Sequence, residues 1–326
     1  MSVKVGILSF AHMHATSYAS ALNILPEAEF VGIADEDPQR GQEMAKQFGT
    51  KFFPSYEALI ESVDAVIITS ENVKHKELTL MAARAGKHVL CEKPIATTVE
   101  DGQAMIDACR ENGVKLMIAF PCRYSPSIIR AKEQVESGVI GSVLAIKGTN
   151  HGQMPGGWFI EKEKSGGGAV IDHTVHVTDL MRWIMKSEPT EVYAEISNEM
   201  HHRDFDDVGM LTVTFDNGVF STLDTSWSRP KSYPIWGDVT MELLGTEGMV
   251  GTSLFSQNIA HYSDETMRVN WIGWGGDTDC AMVKDFVTSV AEETPMKITG
   301  EDGLQALKVA LAAYKSRETG GPVKID

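Results

Sequence analysis

The chain has 326 residues, of which 43% are hydrophobic and 23% charged, and its formal net charge is −16 at pH 7. This length allows two domains with separate cores, and the composition is typical of a globular protein without a long disordered segment. The strong negative charge repels phosphate backbones, so we expect no nucleic-acid partner. No apolar run approaches the ~20 residues of a membrane helix, and no signal-peptide pattern precedes the first strand, so we expect no membrane partner. Four scattered cysteines without a C-x-x-C pair indicate a reducing, cytoplasmic setting and no disulfide framework.

Residues 1–122 alternate short apolar runs with amphipathic stretches, which is typical of βαβ units. The predicted strands cover residues 3–8, 30–34, 65–69, 88–91 and 115–120, with 52–53 as a weaker candidate. The predicted helices cover residues 38–48, 76–85 and 99–112, and Gly86 and Gly113 are the expected C-caps of the last two. Buried parallel strands with helices on both faces predict a doubly wound α/β domain.

The pattern changes after residue 122. Helices are predicted near residues 127–137 and 170–186, with a strand over 143–148 between them. Alternating runs typical of antiparallel strands follow at residues 191–196, 209–215, 219–225 and 239–244, and Asn217-Gly218 marks a hairpin turn. Two helices near 280–292 and 301–317 close the chain. We therefore predict that residues 123–326 form an α+β domain on a mostly antiparallel, open sheet.

The segment after the first strand replaces the G-x-G-x-x-G loop of dinucleotide-binding proteins. Ser9 and Ala11 are the smallest substitutes for the first two glycines, so a tight turn and a close approach to a pyrophosphate remain possible in a slightly wider loop. His14 cannot imitate the third glycine in close packing, so we expect the next helix to start differently. The helix N-terminus still offers N–H groups and a positive dipole end to phosphate. The residues predicted to contact a dinucleotide here are Ser9, Phe10, Ala11, His12 and Met13.

The two histidines of this loop have more than one interpretation. We interpret His14 as a turn residue whose hydrogen bonds are satisfied locally. His12 fits a turn residue and a contact to cofactor or substrate equally well. An H-x-H pair needs further ligands that the sequence does not place, so no metal site is predicted.

The second predicted strand ends in three acids, Asp35, Glu36 and Asp37. A carboxylate at this position accepts hydrogen bonds from the ribose hydroxyls of the adenosine, which is the role predicted for Asp35. Three acids repel a 2′-phosphate, and the first arginine after them is Arg40, so the sequence favours NAD over NADP. Asp37 and Pro38 also suit the N-cap and first turn of the next helix.

Further motifs lie in a fixed order along the chain. They are AGKHVLCEKPIA (85–96), SENVKH (70–75), FPCRYSP (120–126), GGGAVIDHTVHVTDLMRW (166–183), LGTEG (244–248) and ITGEDGLQAL (298–307). Together they resemble the Gfo/Idh/MocA oxidoreductases, whose members include glucose–fructose oxidoreductase and inositol dehydrogenases. The E-K-P and D-x-x-x-H motifs at this separation are the specific part of the resemblance, which spans nearly the whole chain.

The resemblance implies an N-terminal Rossmann domain that binds NAD or NADP, and a substrate domain that also pairs copies of the chain. It implies redox chemistry on a sugar or cyclitol hydroxyl and a homodimer or homotetramer formed through an open sheet face. It also implies a cis peptide bond before Pro94. The further residues that it assigns to the cofactor are Ser70, Asn72, His75, Glu92 and Lys93.

The residues themselves agree with such chemistry. Asp172 and His176 are four residues apart and share one face of a predicted helix. A neutral imidazole can take a hydroxyl proton near pH 7, and the carboxylate can orient it or bind a substrate hydroxyl. Lys93 follows a strand at its carboxyl end, where its ammonium can polarise the reacting oxygen.

The sequence departs from the family motif next to this pair. Thr174 stands where the family has glycine, and His173 is an additional histidine that faces either the substrate or the solvent. The candidates for substrate contacts are Tyr124, His151, Trp158 and His173. His201 and His202, beside Asp204, Asp206 and Asp207, are interpreted as a solvated loop.

The function predicted from the sequence is an NAD-dependent sugar or polyol dehydrogenase. A glycosidase or lyase that oxidises a sugar hydroxyl transiently begins with the same step, so it remains an alternative. A non-catalytic sensor of nucleotide or sugar is a second alternative, although it would have no need of the Asp172–His176 pair. Metal-dependent hydrolysis through His12, His14, His173 and His176 is the third alternative, and it would require a bound ion.

Overall fold

A computed structural model describes residues 2–325 of the chain. The chain divides into two compact units, and each is described by itself. The first contains the residues up to Pro121 together with Asp277–Leu304, and the second contains Cys122–Gly276 together with the residues from Gln305 onward. The single boundary predicted after residue 122 lies one residue from an observed one, but it assigns residues 277–304 to the second domain, whereas the structure assigns them to the first.

The first unit is built on a six-stranded, parallel sheet. Its strands are β1 (Val3–Leu8), β2 (Ala28–Ala34), β3 (Lys51–Phe53), β4 (Ala65–Ile68), β5 (His88–Cys91) and β6 (Leu116–Ile118). Its first five helices are α1 (Ala15–Ile24), α2 (Pro38–Phe48), α3 (Tyr56–Ile60), α4 (His75–Arg84) and α5 (Val99–Glu111). The strand order is β3-β2-β1-β4-β5-β6, so the order reverses between β1 and β4. Open α/β sheets bind ligands beyond the carboxyl ends of the strands at such a reversal.

The second unit is built on a seven-stranded, mostly antiparallel sheet, in which only β7 and β10 pair in parallel. Its order is β12-β11-β7-β10-β9-β8-β15, and β13 and β14 form a separate hairpin. The strands are β7 (Val143–Gly152), β8 (Pro189–Ser197), β9 (Val208–Phe215), β10 (Phe220–Ser226), β11 (Gly237–Gly245), β12 (Met249–Ser253), β13 (Asn258–Ser263), β14 (Arg268–Gly273) and β15 (Val323–Lys324). The helices that follow α5 are α6 (Pro126–Glu136), α7 (Lys162–Ser165), α8 (Ala169–Met185), α9 (Thr278–Ala291) and α10 (Gly300–Thr319).

These elements confirm the predicted fold class, a doubly wound Rossmann sheet followed by an α+β domain with a mostly antiparallel sheet. Gly86 and Gly113 follow α4 and α5 with φ of +71° and +65°, as expected of C-cap glycines. The hairpin turn at Gly218 also forms, with φ of +84°. The structure adds the short helices α3 and α7 and the strands β12 to β15, which the sequence did not predict. Most side chains of β13 and β14 are exposed, so these strands lack the alternation that reveals a half-buried strand.

Residues 277–304 belong to the first unit because α9 packs against α1 and β1. Met282, Val283 and Phe286 are fully buried on this helix. The Ser17 hydroxyl on α1 donates to Asp279 Oδ2 on α9 at 2.5 Å. This return of the chain to its first domain leaves no mark in the local pattern of the sequence.

In the second unit, α8 lies across β7, β9 and β10. Gly148 on β7 permits this contact, because a Cβ there would lie 2.7 Å from Val177 Cγ1 and 2.8 Å from Met181 Cε. The even-numbered residues of this part of β7 therefore point towards α8, and the odd-numbered residues point to the other face of the sheet. Within residues 2–325, no helix is both long and apolar enough to cross a bilayer. All four cysteines are free thiols.

Candidate active site

The loop after β1 keeps a glycine-like turn although its first glycine is replaced. Ser9 has φ of +74°, in the left-handed region that favours glycine. Its N–H donates to the Ala34 carbonyl at 2.7 Å, and its own carbonyl accepts the Thr69 hydroxyl at 2.6 Å. Ala34 ends β2 and Thr69 follows β4, so both neighbours of β1 hold Ser9 in this conformation.

Four backbone donors of the loop beyond Ser9 are bonded within the protein. Ala11 N–H donates to Ser9 Oγ at 3.1 Å, and His14 N–H donates to His12 Nδ1 at 3.2 Å. Phe10 N–H donates to Asp35 Oδ2 at 2.7 Å, and His12 N–H donates to the Thr69 carbonyl at 2.9 Å. The helix α1 begins at Ala15, after His14, whose side chain makes no capping hydrogen bond. Hydrogen bonds therefore fix the loop to the ends of β2 and β4. The N-terminus of α1, which is the positive end of its dipole, follows the loop directly.

The carboxylate of Asp35 at the end of β2 accepts four hydrogen bonds within the protein. It accepts the Phe10 N–H at 2.7 Å and the Asp37 N–H at 2.9 Å. Arg40 donates to it from Nε at 2.9 Å and from Nη2 at 2.6 Å. Asp37 also caps α2, as predicted, by accepting the Gln39 and Arg40 N–H groups.

Arg40, the first arginine after the three acids, is the partner of Asp35 in the structure, which the sequence did not predict. The pKa of Arg40 is raised by its hydrogen bond to Asp35, against the effect of burial. The end of β2 therefore carries an ion pair rather than three uncompensated acids. The sequence contained a signal for this ion pair. Asp37 is predicted to cap α2, which places Arg40 in the first turn of that helix, directly after the strand that ends beside Asp35.

The E-K-P motif places Lys93 directly after β5. Lys93 is only 5% exposed, and its peptide bond to Pro94 is cis, as the resemblance implies. His75 donates from Nδ1 to the Pro94 carbonyl at 2.9 Å, and burial lowers the pKa of His75. A neutral His75 thus holds the chain immediately after Lys93. Ser70 and Asn72, the other predicted residues after β4, are buried at the same carboxyl edge of the sheet.

The loop histidines meet the glutamate of the E-K-P motif, a contact that the sequence did not predict. Glu92 Oε1 lies 3.0 Å from His14 Nδ1 and 3.8 Å from His12 Nδ1, and it accepts the Tyr18 hydroxyl at 2.5 Å. Burial acts to raise the pKa of Glu92, but His12 and His14 hold it well below its usual range. The pKa of His14 is raised by Glu92, against the effect of burial. Glu92 is therefore a buried anion paired with His14.

In the second unit, the start of α8 is capped from a distant part of the chain. The Asp206 carboxylate accepts the Gly168 N–H at 2.9 Å and the Val170 N–H at 2.8 Å, and the Asp206 carbonyl accepts the N–H of residue 169 at 2.8 Å. The Tyr314 hydroxyl accepts the Ile171 N–H at 3.3 Å and donates to Asp206 Oδ1 at 2.9 Å. The donors that a helix cannot satisfy at its own start thus all find acceptors here.

This cap explains the G-G-G motif before α8. A Cβ at Gly168 would lie 2.0 Å from the Asp206 carbonyl oxygen, and one at Gly167 would lie 2.3 Å from the Tyr314 hydroxyl. The interpretation of residues 201–207 as a solvated loop is wrong for two of its acids. Asp206 is 7% exposed and Asp207 is fully buried, because both accept backbone N–H groups.

The cap positions the D-x-x-x-H pair in the first turns of α8. Asp172 and His176 are each 9% exposed. The indole N–H of Trp227 donates to Asp172 Oδ2 at 3.2 Å, and His173 Nε2 lies 3.3 Å from the same oxygen. Cys122 Sγ lies 3.9 Å from His176 Nδ1. Trp227 and Cys122 were not predicted, and the position of a tryptophan just after the predicted strand at residues 219–225 was the available signal for the first.

The structure gives His173 a place that neither expectation described. It is 4% exposed and donates from Nδ1 to the Asn150 carbonyl at 2.9 Å. Its Nε2 faces Asp172, so both ring nitrogens lie against oxygen atoms. His173 therefore contacts Asp172 and is not turned to the solvent.

His151 lies apart from these residues. As an odd-numbered residue of β7, it points to the sheet face opposite α8. There Nε2 lies 2.9 Å from Asp224 Oδ2, and Nδ1 lies 2.7 Å from Asp238 Oδ1. Burial acts to lower the pKa of His151, but the hydrogen bonds to both carboxylates raise it to about 9. The structure thus does not bring His151 to Asp172 and His176.

The two aromatic candidates for substrate contacts are both half-buried. Trp158 stacks on Phe159, with ring centroids 3.9 Å apart and an interplanar angle of 20°. Tyr124 closes the short 3₁₀ turn Pro121–Tyr124 that leads into α6. Each therefore keeps part of its ring accessible, as a contact to a sugar face requires.

Comparisons with known proteins agree with this architecture. Residues 3–120 match the model of an oxidoreductase family with an NAD-binding Rossmann fold, and residues 128–251 match the GFO/IDH/MocA C-terminal domain. The chain is 30% identical over 315 residues to the 1,5-anhydro-D-fructose reductase of Ensifer adhaerens, with 91% of each chain covered. It is 27% identical over 337 residues to the myo-inositol 2-dehydrogenase of Thermotoga maritima, with 99% of each covered.

A solved structure extends the agreement to the fold as a whole. The crystal structure of GenD2 from gentamicin A biosynthesis in complex with NAD matches with a TM-score of 0.91 at 24% identity, covering 100% of this chain and 97% of that one. Family models, relatives and fold thus lead to one assignment. The chain belongs to the Gfo/Idh/MocA family of oxidoreductases and carries the NAD-binding Rossmann domain of that family.

Proposed function

We propose that the protein is an NAD-dependent dehydrogenase that transfers a hydride between a secondary hydroxyl of a sugar, cyclitol or related polyol and nicotinamide. The observation that carries the proposal is the pair of Asp172 and His176 on one face of α8, with Asp172 held by Trp227 and His173. The relatives named for myo-inositol and 1,5-anhydro-D-fructose support a cyclic, polyhydroxylated substrate.

The residues of the first unit fit an NAD molecule. Ser9 reproduces the backbone turn of the first glycine, and Ala11 adds only a methyl group at the second. Asp35 presents a carboxylate where the adenosine ribose binds in such folds. The other residues that we assign to the cofactor are Phe10, His12, Met13, Ser70, Asn72, His75, Glu92 and Lys93. When bound, NAD supplies the hydride acceptor.

Three side chains carry the proton and charge chemistry. His176 has Nδ1 directed towards Cys122, so we assign its Nε2 to take the proton of the reacting hydroxyl. Asp172 binds a substrate hydroxyl and orients His176. Lys93 is nearly buried, so its ammonium stabilises a developing alkoxide more strongly than it would in water. Tyr124 and Trp158 are proposed to contact the substrate ring, and His173 to act through Asp172.

We further propose that NAD is preferred over NADP. Asp35, Glu36 and Asp37 follow one another after β2, and Arg40 is held by Asp35 at 2.6 and 2.9 Å. A 2′-phosphate would have to displace Asp35 from Arg40 and approach the remaining acids. Fluorescence titrations with NADH and NADPH test this, and equal or tighter binding of NADPH would overturn the preference.

A second copy of the chain is the proposed partner. The sheet face opposite α8 exposes large side chains on neighbouring strands, namely Tyr193 at 38%, Met210 at 50% and Phe220 at 52%. Covering such side chains is favourable, so we propose a homodimer or homotetramer through this face. Light scattering at micromolar concentration tests it, and a monomer would contradict it.

The proposed reaction is tested by incubating the protein with NAD and a panel of cyclitols, aldoses and anhydro-sugars. We expect NADH to accumulate with at least one of them. Cleavage of a glycoside without accumulation of NADH would instead support the alternative of transient oxidation. Binding of neither nucleotide would support the alternative of a sensor.

A further inference from the structure

Three side chains that commonly ligate metals meet in the first unit. His12 and His14 lie in the loop after β1, and Glu92 follows β5. One ligand atom from each lies within 4.8 Å of the other two. The sequence placed no further ligand beside the two histidines, but the fold brings Glu92 to them from 78 residues beyond His14.

These side chains are already gathered and anchored. Glu92 has a side-chain exposure of 0% and His12 of 2%, whereas His14 is 33% exposed and gives access from the solvent. The His12 N–H donates to the Thr69 carbonyl, and the Glu92 N–H donates to the Ile68 carbonyl at 3.0 Å. Sites whose ligands sit on fixed backbone lose little freedom when an ion binds.

The separations suit a tetrahedral ion. Glu92 Oε1 lies 3.0 Å from His14 Nδ1 and 3.8 Å from His12 Nδ1. Ligands at ~2.0–2.1 Å from a tetrahedral Zn²⁺ lie roughly 3.3 Å from one another. These two separations bracket this value, and the third, between the two imidazoles, is within 4.8 Å. A bound ion would replace the hydrogen bond that His12 Nδ1 now accepts from the His14 N–H at 3.2 Å and the contact between His14 Nδ1 and Glu92.

The chemistry of the ligands selects the ion. Two imidazoles and one carboxylate form a ligand set that Zn²⁺ accepts with a fourth position left open, whereas Mg²⁺ and Ca²⁺ prefer oxygen ligands alone. Glu92 brings a buried negative charge that a cation compensates. The Tyr18 hydroxyl, 2.5 Å from Oε1, orients the carboxylate as outer partners of metal ligands do.

We propose that His12, His14 and Glu92 form a binding site for a divalent transition-metal ion of the Zn²⁺ class. This site goes beyond the dehydrogenase function and does not depend on it, and it shares His12 and Glu92 with the residues that we assign to NAD. The G-x-G-x-x-G loop of dinucleotide-binding proteins has its third glycine where His14 stands here, so the site depends on this chain's departure from that loop.

The test is a titration of the full-length, chelator-treated protein with ZnCl₂ or CoCl₂ in the absence of nucleotide. We expect one ion per chain by calorimetry, and the intense visible absorption of tetrahedral Co²⁺. His14→Ala should weaken binding by roughly 100-fold or more, because even the loss of an outer partner costs about 10–100-fold. His202→Ala is the control, since His202 lies on the surface 3.7 Å from Glu199 and should leave binding unchanged.

Glu92→Gln and His12→Ala are expected to lose the site as well, but both residues are buried and their variants must be shown to fold. His14 is the most exposed ligand, so His14→Ala decides the question if the others unfold. Absence of one-to-one binding by the wild type, or binding by folded His14→Ala at wild-type affinity, would overturn the proposal. Neither result depends on NAD binding or turnover. A failure of the proposed dehydrogenase function would therefore leave the test of the metal site unaffected.

Discussion

The distant cap of α8 allows a stability prediction to be worked from its contacts. Asp206→Ala removes two carboxylate hydrogen bonds, of 2.9 Å to Gly168 and 2.8 Å to Val170, and the acceptor of the Tyr314 hydroxyl. Hydrogen bonds to a charged group contribute roughly 1.5–3 kcal/mol each, and buried donors left without a partner add to the loss. Release of the buried Asp206 charge offsets part of this. We expect the free energy of unfolding to fall by about 3–5 kcal/mol.

Intrinsic fluorescence is the suitable assay. All six tryptophans lie between residues 158 and 274, so fluorescence during urea unfolding reports on the second unit. Asp204→Ala, in the same loop but exposed, is the matched control and should stay within about 0.5 kcal/mol of the wild type. Tyr314→Phe loses the two bonds of 3.3 Å and the 2.9 Å bond to Asp206 but keeps the Asp206 carboxylate as the cap, so it should cost about 1–2 kcal/mol. If Asp206→Ala unfolds at the same urea concentration as Asp204→Ala, the reasoning about the cap is refuted.

Three further outcomes are expected. Lys93→Ala should lower turnover by roughly 10²–10³-fold while NADH still binds, because only the charge facing the developing alkoxide is lost; steady-state kinetics and a binding titration check this. Arg40→Ala should weaken NADPH binding more than NADH binding, since it frees Asp35 as an uncompensated acid; a larger loss for NADH would contradict it. The pKa of His151, about 9, implies a stabilisation that is complete below the ordinary histidine pKa of about 6.5 and is lost as the pH rises through about 9. The difference in urea midpoint between wild type and His151→Gln should therefore shrink from about pH 7 to about pH 10, and a constant difference would refute the assignment.

Much of the fold follows from local pattern. The central strands of the first unit are largely buried, so Val3–Leu8 and His88–Cys91 are mostly apolar and were predicted with the observed bounds. Asp37, Pro38 and Gly49 mark both ends of α2, which also has its predicted bounds. The return of α9 to the first unit depends instead on packing between distant segments, which no local pattern reports.

The residues of the candidate site also differ in whether local pattern can identify them. Asp172 and His176 are neighbours on one helix, and Lys93 belongs to a short motif, so the sequence identifies them. The pairing of Glu92 with His14 and the cap that Asp206 gives α8 join residues far apart in the chain. A run of acids beside two histidines has the composition of a solvated loop, and only the approach of a glycine-lined helix start makes Asp206 a buried acceptor.

The central claim is that this chain performs hydride transfer with His176 as the proton acceptor. The most direct measurement is the rate of NADH formation by His176→Ala, on a polyol that the wild type oxidises, together with the affinity of both proteins for NADH. We predict a rate lower by roughly 10²–10⁴-fold with unchanged NADH affinity. A folded His176→Ala protein that turns over at the wild-type rate would contradict the account.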